Sequence, residues 1–178
     1  HEPNKPQFLI RPKYTALIPS LQSMSEAGIR GGFRELRRRE VQRIENHQAL
    51  ERTSSCAPKE IHSLYSDVLA LQEISPPASA WELICSLTSL IADQWGEIIG
   101  FRDPGTGELA SMTLLLRAKK CTNMVLNLTS RKWRSTGLPA WTILNSILSA
   151  KSHGDDFFDL NGANSPYRGD DKHSYGAE

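Results

Sequence analysis

Residues 157–177 hold the densest set of groups able to do chemistry. Phe157-Phe158-Asp159-Leu160 runs into Asn161-Gly162-Ala163-Asn164-Ser165-Pro166, and Arg168, Lys172, His173 and Tyr175 follow. A short apolar run that stops at an acidic residue and opens into a Gly/Asn/Ser/Pro loop reads as a buried strand delivering polar groups at its carboxyl end. Asp159 falls where that strand ends, so it is the carboxylate best placed to point into a site. Lys172 supplies a cation of the kind that stabilises the oxyanion of an acyl-transfer intermediate. His173 or Tyr175 can move protons. On chemistry alone, three surface residues are the stronger reading of Lys172, His173 and Tyr175. Asn161, Asn164, Ser165 and Arg168 are the loop residues expected to contact substrate.

A second constellation is Ser130-Arg131-Lys132-Trp133-Arg134-Ser135-Thr136-Gly137, a basic loop ahead of a helix. Backbone N–H groups at a helix start combined with cations suit an anion, above all a phosphate. Arg131, Arg134, Thr136 and Gly137 are the candidate ligands, with Gly137 allowing close backbone approach. The plainer alternative is a solvated loop whose Ser135 or Thr136 caps the helix.

Other candidates are weaker. Asp155, Asp156, Asp159, Asp170 and Asp171 lack calcium-loop spacing, so no metal site is expected. Arg30, Arg34, Arg37, Arg38, Arg39 and Arg43 form a basic helix able to meet phosphates. The interleaved Glu35, Glu40 and Glu45 favour ion pairs on a solvated face instead. Ser54-Ser55-Cys56 has no base partner in view, and there is no G-x-S-x-G elbow.

These groups must be positioned by elements that the hydrophobic pattern marks out. Phe8, Ile10, Tyr14, Ala16 and Ile18 alternate as a strand ending at Pro19. Residues 20–45 read as helix with a break at Gly28 or Gly31-Gly32, and Phe33, Leu36 (or Arg37), Val41 and Ile44 share a face. Residues 47–57 read as a polar connection. Helices are expected from Pro58 to Pro76-Pro77 and over 79–92. A meander of strands follows at 95–101, 109–117 and 121–128, with a turn at Asp103-Pro104-Gly105-Thr106-Gly107 and with Met124, Leu126 and Leu128 alternating against Asn127. A helix over 138–151 ends at His153-Gly154, and a short strand covers 156–160. Helices on one sheet in a chain of this size give an α/β or α+β domain.

The 178 residues suit one domain, with 39% hydrophobic and 23% charged residues as in globular proteins. A formal net charge of +1 argues neither for nor against nucleic acid. The three cysteines, Cys56, Cys85 and Cys121, are too few and too scattered for a disulfide framework. They point to a reducing compartment, here the cytoplasm, with Cys85 and Cys121 as core residues. No apolar run reaches the ~18 residues a membrane span needs. Residues 1–7 read as a tag scar or linker and 8–178 as one domain, expected to be a piece of a longer chain.

The segment from Phe157 to Ala177 resembles the terminal signature of the GNAT-fold acyltransferases of the Fem type, the peptidoglycan aminoacyl-transferases and the cellulose-biosynthesis acetyltransferase-like proteins grouped with them. The match lies in the strand Phe157-Phe158-Asp159, the loop after it, Lys172, and Tyr175-Gly176. The Arg-rich helix and the helix before His153-Gly154 extend the likeness over about Tyr14 to Ala177. It implies a mixed, largely antiparallel twisted sheet flanked by helices and split at its centre. It implies a transferase moving an acyl or aminoacyl group, from acyl-CoA or aminoacyl-tRNA, to an amine on a small molecule or cell-wall precursor. No permanently bound cofactor is implied. Lys172 matches the lysine linked to the transfer intermediate, and Arg131, Arg134 and Gly137 lie where the donor pyrophosphate is held. Fem-type proteins pair two such domains, so this chain is expected to be the second, with an N-terminal partner domain missing. Two departures stand out. Pro139 removes an N–H donor from the anion loop, and Asp171 replaces the aromatic before the lysine. They motivate an alternative, a GNAT-like binding or assembly module without catalysis.

Overall fold

The structure, a computed structural model, describes residues 15–47, 50–162 and 171–177. Phe8, Ile10 and Tyr14 of the first expected strand, and the loop candidates Asn164, Ser165 and Arg168, lie outside the described residues. The elements in chain order are β1 (Leu17–Ile18), α1 (Glu26–Gly32), α2 (Glu35–His47), β2 (Glu51–Thr53), α3 (Pro58–Ala70), α4 (Ala80–Ala92), β3 (Gly96–Arg102), β4 (Leu109–Ala118), β5 (Cys121–Thr129), α5 (Leu138–Ser152) and β6 (Phe157–Asp159). Short 3-10 turns occupy Leu21–Ser23, Arg131–Trp133 and Asp171–Tyr175.

The six strands form one mixed sheet in the order β1-β6-β5-β4-β3-β2. Every pairing is antiparallel except β5 with β6. Period-two patterning splits the apolar residues between two layers. Ile99, Phe101, Ala110, Leu115 and Phe158 join α1, α2 and α5 in one core cluster. Ile98, Met112, Leu114 and Leu128 join α3 and α4 in the other. The sheet is therefore covered by helices on both faces, which is why β4 reads as an almost unbroken apolar run.

The helix boundaries follow local chemistry. Ser25 caps α1 through its hydroxyl, which accepts the Gly28 N–H at 3.0 Å. The break expected at a glycine falls one residue later, at Phe33-Arg34, while Gly28 sits inside α1. Phe33 is fully buried there, and Arg38 donates to the carbonyls of Gly31 (3.0 Å) and Phe33 (2.6 Å) at the end of α1. Pro58 opens α3 at a position where its missing N–H costs nothing. The Glu60 carboxylate accepts the Ala57 N–H at 2.8 Å and also pairs with Arg102. That pairing lowers the Glu60 carboxyl below its ordinary range.

Three expectations need correction. The polar connection after α2 contains β2, three residues long and too short to show alternation. The buried cysteine is Cys56, while Cys85 and Cys121 are only half-buried. Cys56 packs where Gly100 has no side chain, and burial pushes its thiol up to about 11. Met124 and Leu128 do not share a face, because Leu114 faces Leu126 while Leu115 faces Met124, leaving Val125 as an extra residue. This β-bulge sends Met124 to the core under α5 and Leu128 to the core under α3 and α4.

The β4–β5 hairpin turns on Lys119 and Lys120, with φ of 49° and 62°. Two left-handed residues in a two-residue turn favour Asn-Gly, so lysine at both carries strain. Replacing them by Lys119→Asn and Lys120→Gly together is expected to raise unfolding stability by about 1–2 kcal/mol. The exposed Lys120–Asp156 contact at 3.5 Å is lost in that variant and offsets little of the gain. Urea unfolding of the double variant reads this directly, and an unchanged midpoint refutes it.

Candidate active site

The parallel pair β5–β6 defines the site. β6 pairs with only the first three residues of β5, ending at Asn123↔Asp159. Beyond that point β5 runs on through residues 124–129 with no strand paired on that edge among the described residues. The opening begins at the carboxyl end of β6, beside the Val125 bulge in the middle of β5, and runs to the carboxyl end of β5. The basic loop continues directly from β5 and flanks it.

Lys172 lies at the mouth of this opening. Its ammonium donates to the carbonyl oxygens of Asn161 and Gly162, two and three residues past the last β5–β6 pair. Asn161 itself is left-handed (φ 57°), and its side-chain oxygen accepts the Gly162 N–H at 2.8 Å. Asp159 is engaged locally: one carboxylate oxygen accepts the Asn161 N–H at 2.6 Å and the Thr15 hydroxyl. It holds β1 and the start of the loop, so its geometry is that of a positioning group.

Tyr175 is 5% exposed and belongs to the core under α1 and α2. Its ring meets Phe33 edge-on at 5.3 Å, and the Arg37 guanidinium lies 5.3 Å from its centroid. The Arg34 N–H donates to the Ser174 carbonyl at 2.8 Å, and Arg37 Nε donates to the Ser174 hydroxyl at 3.2 Å. Gly176 (φ 79°) lets its backbone approach Gly32, whose carbonyl oxygen is 3.1 Å from where a Cβ would stand. The Lys-x-x-Tyr-Gly motif is thus a docking element that fixes Lys172 relative to the α1–α2 corner. Ser174 and its contacts are absent from the sequence reading, since only Phe33 after Gly31-Gly32 hints at a partner.

The basic loop divides in two. Arg131, Lys132 and Trp133 line a groove of about 640 Å³ bounded by α3, the β3–β4 turn, the start of β4 and the basic loop itself. Trp133, 9% exposed, lines this groove. Lys132 pairs with Asp103 in the β3–β4 turn and holds its carboxyl below the ordinary range. Arg134 is exposed, and neither it nor Arg131 has a hydrogen-bonding or ion-pair partner among the described residues. Thr136 acts as a cap: its hydroxyl donates to the Trp133 carbonyl at 2.8 Å and accepts the Leu138 N–H at 3.3 Å. Gly137 (φ 98°) is buried against α2, where a Cβ would stand 2.5 Å from the Glu40 carbonyl oxygen. Pro139 takes the second position of α5, where the helix needs no N–H.

The arginines of α1 and α2 are mostly occupied. Arg30 pairs with Glu26 and Glu45, Arg37 with Glu40, and Arg39 with Glu35. Among the described residues no cluster of three or more His, Cys, Asp or Glu has metal-site geometry, and no helix is long and apolar enough to cross a membrane.

No protein-family model matches the sequence, and no curated protein does. Solved structures do. FemX superposes with a TM-score of 0.71 over 92% of this chain at 12% identity, and the match spans 58% of FemX. L-PGS from Bacillus licheniformis gives 0.57 over 87% of this chain at 14% identity, spanning 46% of that protein. A GCN5-related N-acetyltransferase from Sphaerobacter thermophilus gives 0.55 over 74% at 12% identity, spanning 42% of that chain. The architecture is therefore a GNAT fold of the Fem type. This chain spans little more than half of FemX and under half of the other two.

Proposed function

We propose that this domain moves an acyl or aminoacyl group onto an amine acceptor, in cell-envelope or polysaccharide biosynthesis, with the donor lying along the open edge of β5. The observation that carries this reading is the divergence of β5 and β6, with Lys172 at its mouth and a basic loop on its flank. A strand edge of unpaired N–H and C=O groups accepts an extended amide-bearing donor by the same bonds a neighbouring strand would make. Lys172 then offers charge to the oxyanion, and Arg134 with the N–H groups before α5 faces the donor phosphates. Pro139 leaves that end one N–H short, which favours aminoacyl-tRNA over acyl-CoA as donor. Catalysis of this kind rests on positioning and charge stabilisation, with no metal step required. On this reading the domain works in the cytoplasm, on an amine-bearing small molecule or a cell-wall precursor, beside an N-terminal domain of the same protein.

A second reading has support of its own. Asp159 and Tyr175 both make structural contacts, as expected of a GNAT-like binding or assembly module without catalysis. Melting temperature separates the two, because a ligand of the folded state alone must raise it. A dose-dependent rise with aminoacyl-tRNA supports the proposal as stated. A rise with coenzyme A and acetyl-CoA keeps the transferase and changes its donor. No rise with either, in a domain that melts cooperatively, favours the module.

A further inference from the structure

The groove beside Arg131 lies on the side of β5 away from the open edge, and nothing in the donor reading uses it. Its floor is apolar and buried: Leu64, Leu109 and Trp133 are 5%, 9% and 9% exposed. Four carboxylates line it, and two of them are neutralised, Glu60 by Arg102 and Asp103 by Lys132. Those of Asp67 on α3 and Glu108 beside the β3–β4 turn have no partner among the described residues. Exposed carboxylates are common on any surface. These two differ in rimming a concave, apolar-floored cavity within the usual size range of small-molecule sites. Arg131, which has no partner among the described residues, lines the same groove from the basic loop, so the groove carries free carboxylates on α3 and beside the hairpin and a free cation on the loop.

We propose that this groove binds an organic ammonium ion, a protonated amine carried on an apolar body. The amine lies between Asp67 and Glu108, and the body covers Leu64, Leu109 and Trp133. Arg131 repels a cation from the loop end and so sets the direction of the ligand. Ser130, the residue after β5, donates its N–H to the Ala110 carbonyl, and both residues line the groove, which therefore abuts the carboxyl end of β5. That such a ligand is the acceptor of the transfer rests on the transferase reading; its binding does not.

The test is a titration of the ¹⁵N-labelled domain with phenethylamine, followed by amide and indole shifts. 2-Phenylethanol, with the same ring and no charge, and phenylacetate serve as comparisons. We expect shifts at Leu71, Leu109, Ala110, Ser130 and the Trp133 indole, with the amine binding about fivefold tighter than the alcohol. Phenylacetate binds more weakly than either. Asp67→Asn with Glu108→Gln, both at exposed positions, reduces the amine to the affinity of the alcohol, as does about 0.5 M salt. Equal binding of amine and alcohol, or shifts confined to other residues, overturns the proposal. These readouts need no turnover, so failure of the transferase reading leaves the amine site standing, and failure of amine binding leaves the transferase reading untouched.

Discussion

Lys172→Ala is expected to lower the rate of transfer by about 10²–10³-fold while the domain stays folded. That is the loss seen when one preorganised oxyanion donor is removed. Lys172 is half-buried and its ammonium is already held by two carbonyls, those of Asn161 and Gly162, so it occupies a fixed position without a substrate to order it. Asn161 and Gly162 are exposed, so water replaces the ammonium at those carbonyls and the stability loss stays near or below about 1 kcal/mol. Lys172→Arg keeps a cation able to donate to both carbonyls. It should restore the lost stability and only part of the rate, because a planar fork does not replace a point charge. The rates are to be measured as single turnovers with whichever donor raises the melting temperature. Wild-type turnover in a folded Lys172→Ala variant removes the residue from the chemistry and leaves it the role of loop clasp.

Gly137→Ala carries the largest expected stability loss, about 2–5 kcal/mol. Two costs combine. The backbone there has φ of 98°, which an L side chain rarely adopts, and the new methyl meets the Glu40 carbonyl oxygen at 2.5 Å and its carbon at 2.9 Å. Both contacts are to backbone of α2, so relief requires α2 to move off α5. Against a typical domain stability of 5–15 kcal/mol the loss is a large fraction. Urea unfolding followed by circular dichroism measures it, and a loss under about 1 kcal/mol rejects the packing account. This glycine is required by the contact between two helices, whatever the loop binds.

Much of the frame was legible because it rests on local rules. The Pro58 start of α3, the Asp103–Gly107 turn and the Gly154 stop are each written in one or two residues, and the structure has them there. The fold class followed from that order of elements, and the Fem-type resemblance from the Phe157–Ala177 motif together with it. What was not legible depends on distant partners. β2 exists because Glu51, Arg52 and Thr53 meet Arg102, Phe101 and Gly100, and those three residues alone show no periodicity. The Val125 bulge is invisible in a run whose residues on both sides are apolar, yet it decides which core Met124 enters. Among the candidate site residues, Asp159 was singled out by its place at a strand end and Lys172 through the family resemblance. Their engagement with Asn161, Gly162 and Thr15 was not, because side-chain and backbone bonds over such distances leave no spacing in the sequence.

The order of the sheet has a kinetic consequence. β1 pairs with β6, and Thr15 donates to Asp159 across 144 residues. Phe33 and Arg34 likewise receive Tyr175 and Ser174. The elements made first on a ribosome therefore wait for those made more than a hundred residues later, while the local β3–β4–β5 meander forms without them. Loop closure of that length makes this domain a slow folder for its size. Until residues 157–177 have emerged, the first three residues of the β5 edge and the apolar surface around Phe33 that receives Tyr175 stand bare, an aggregation hazard during synthesis.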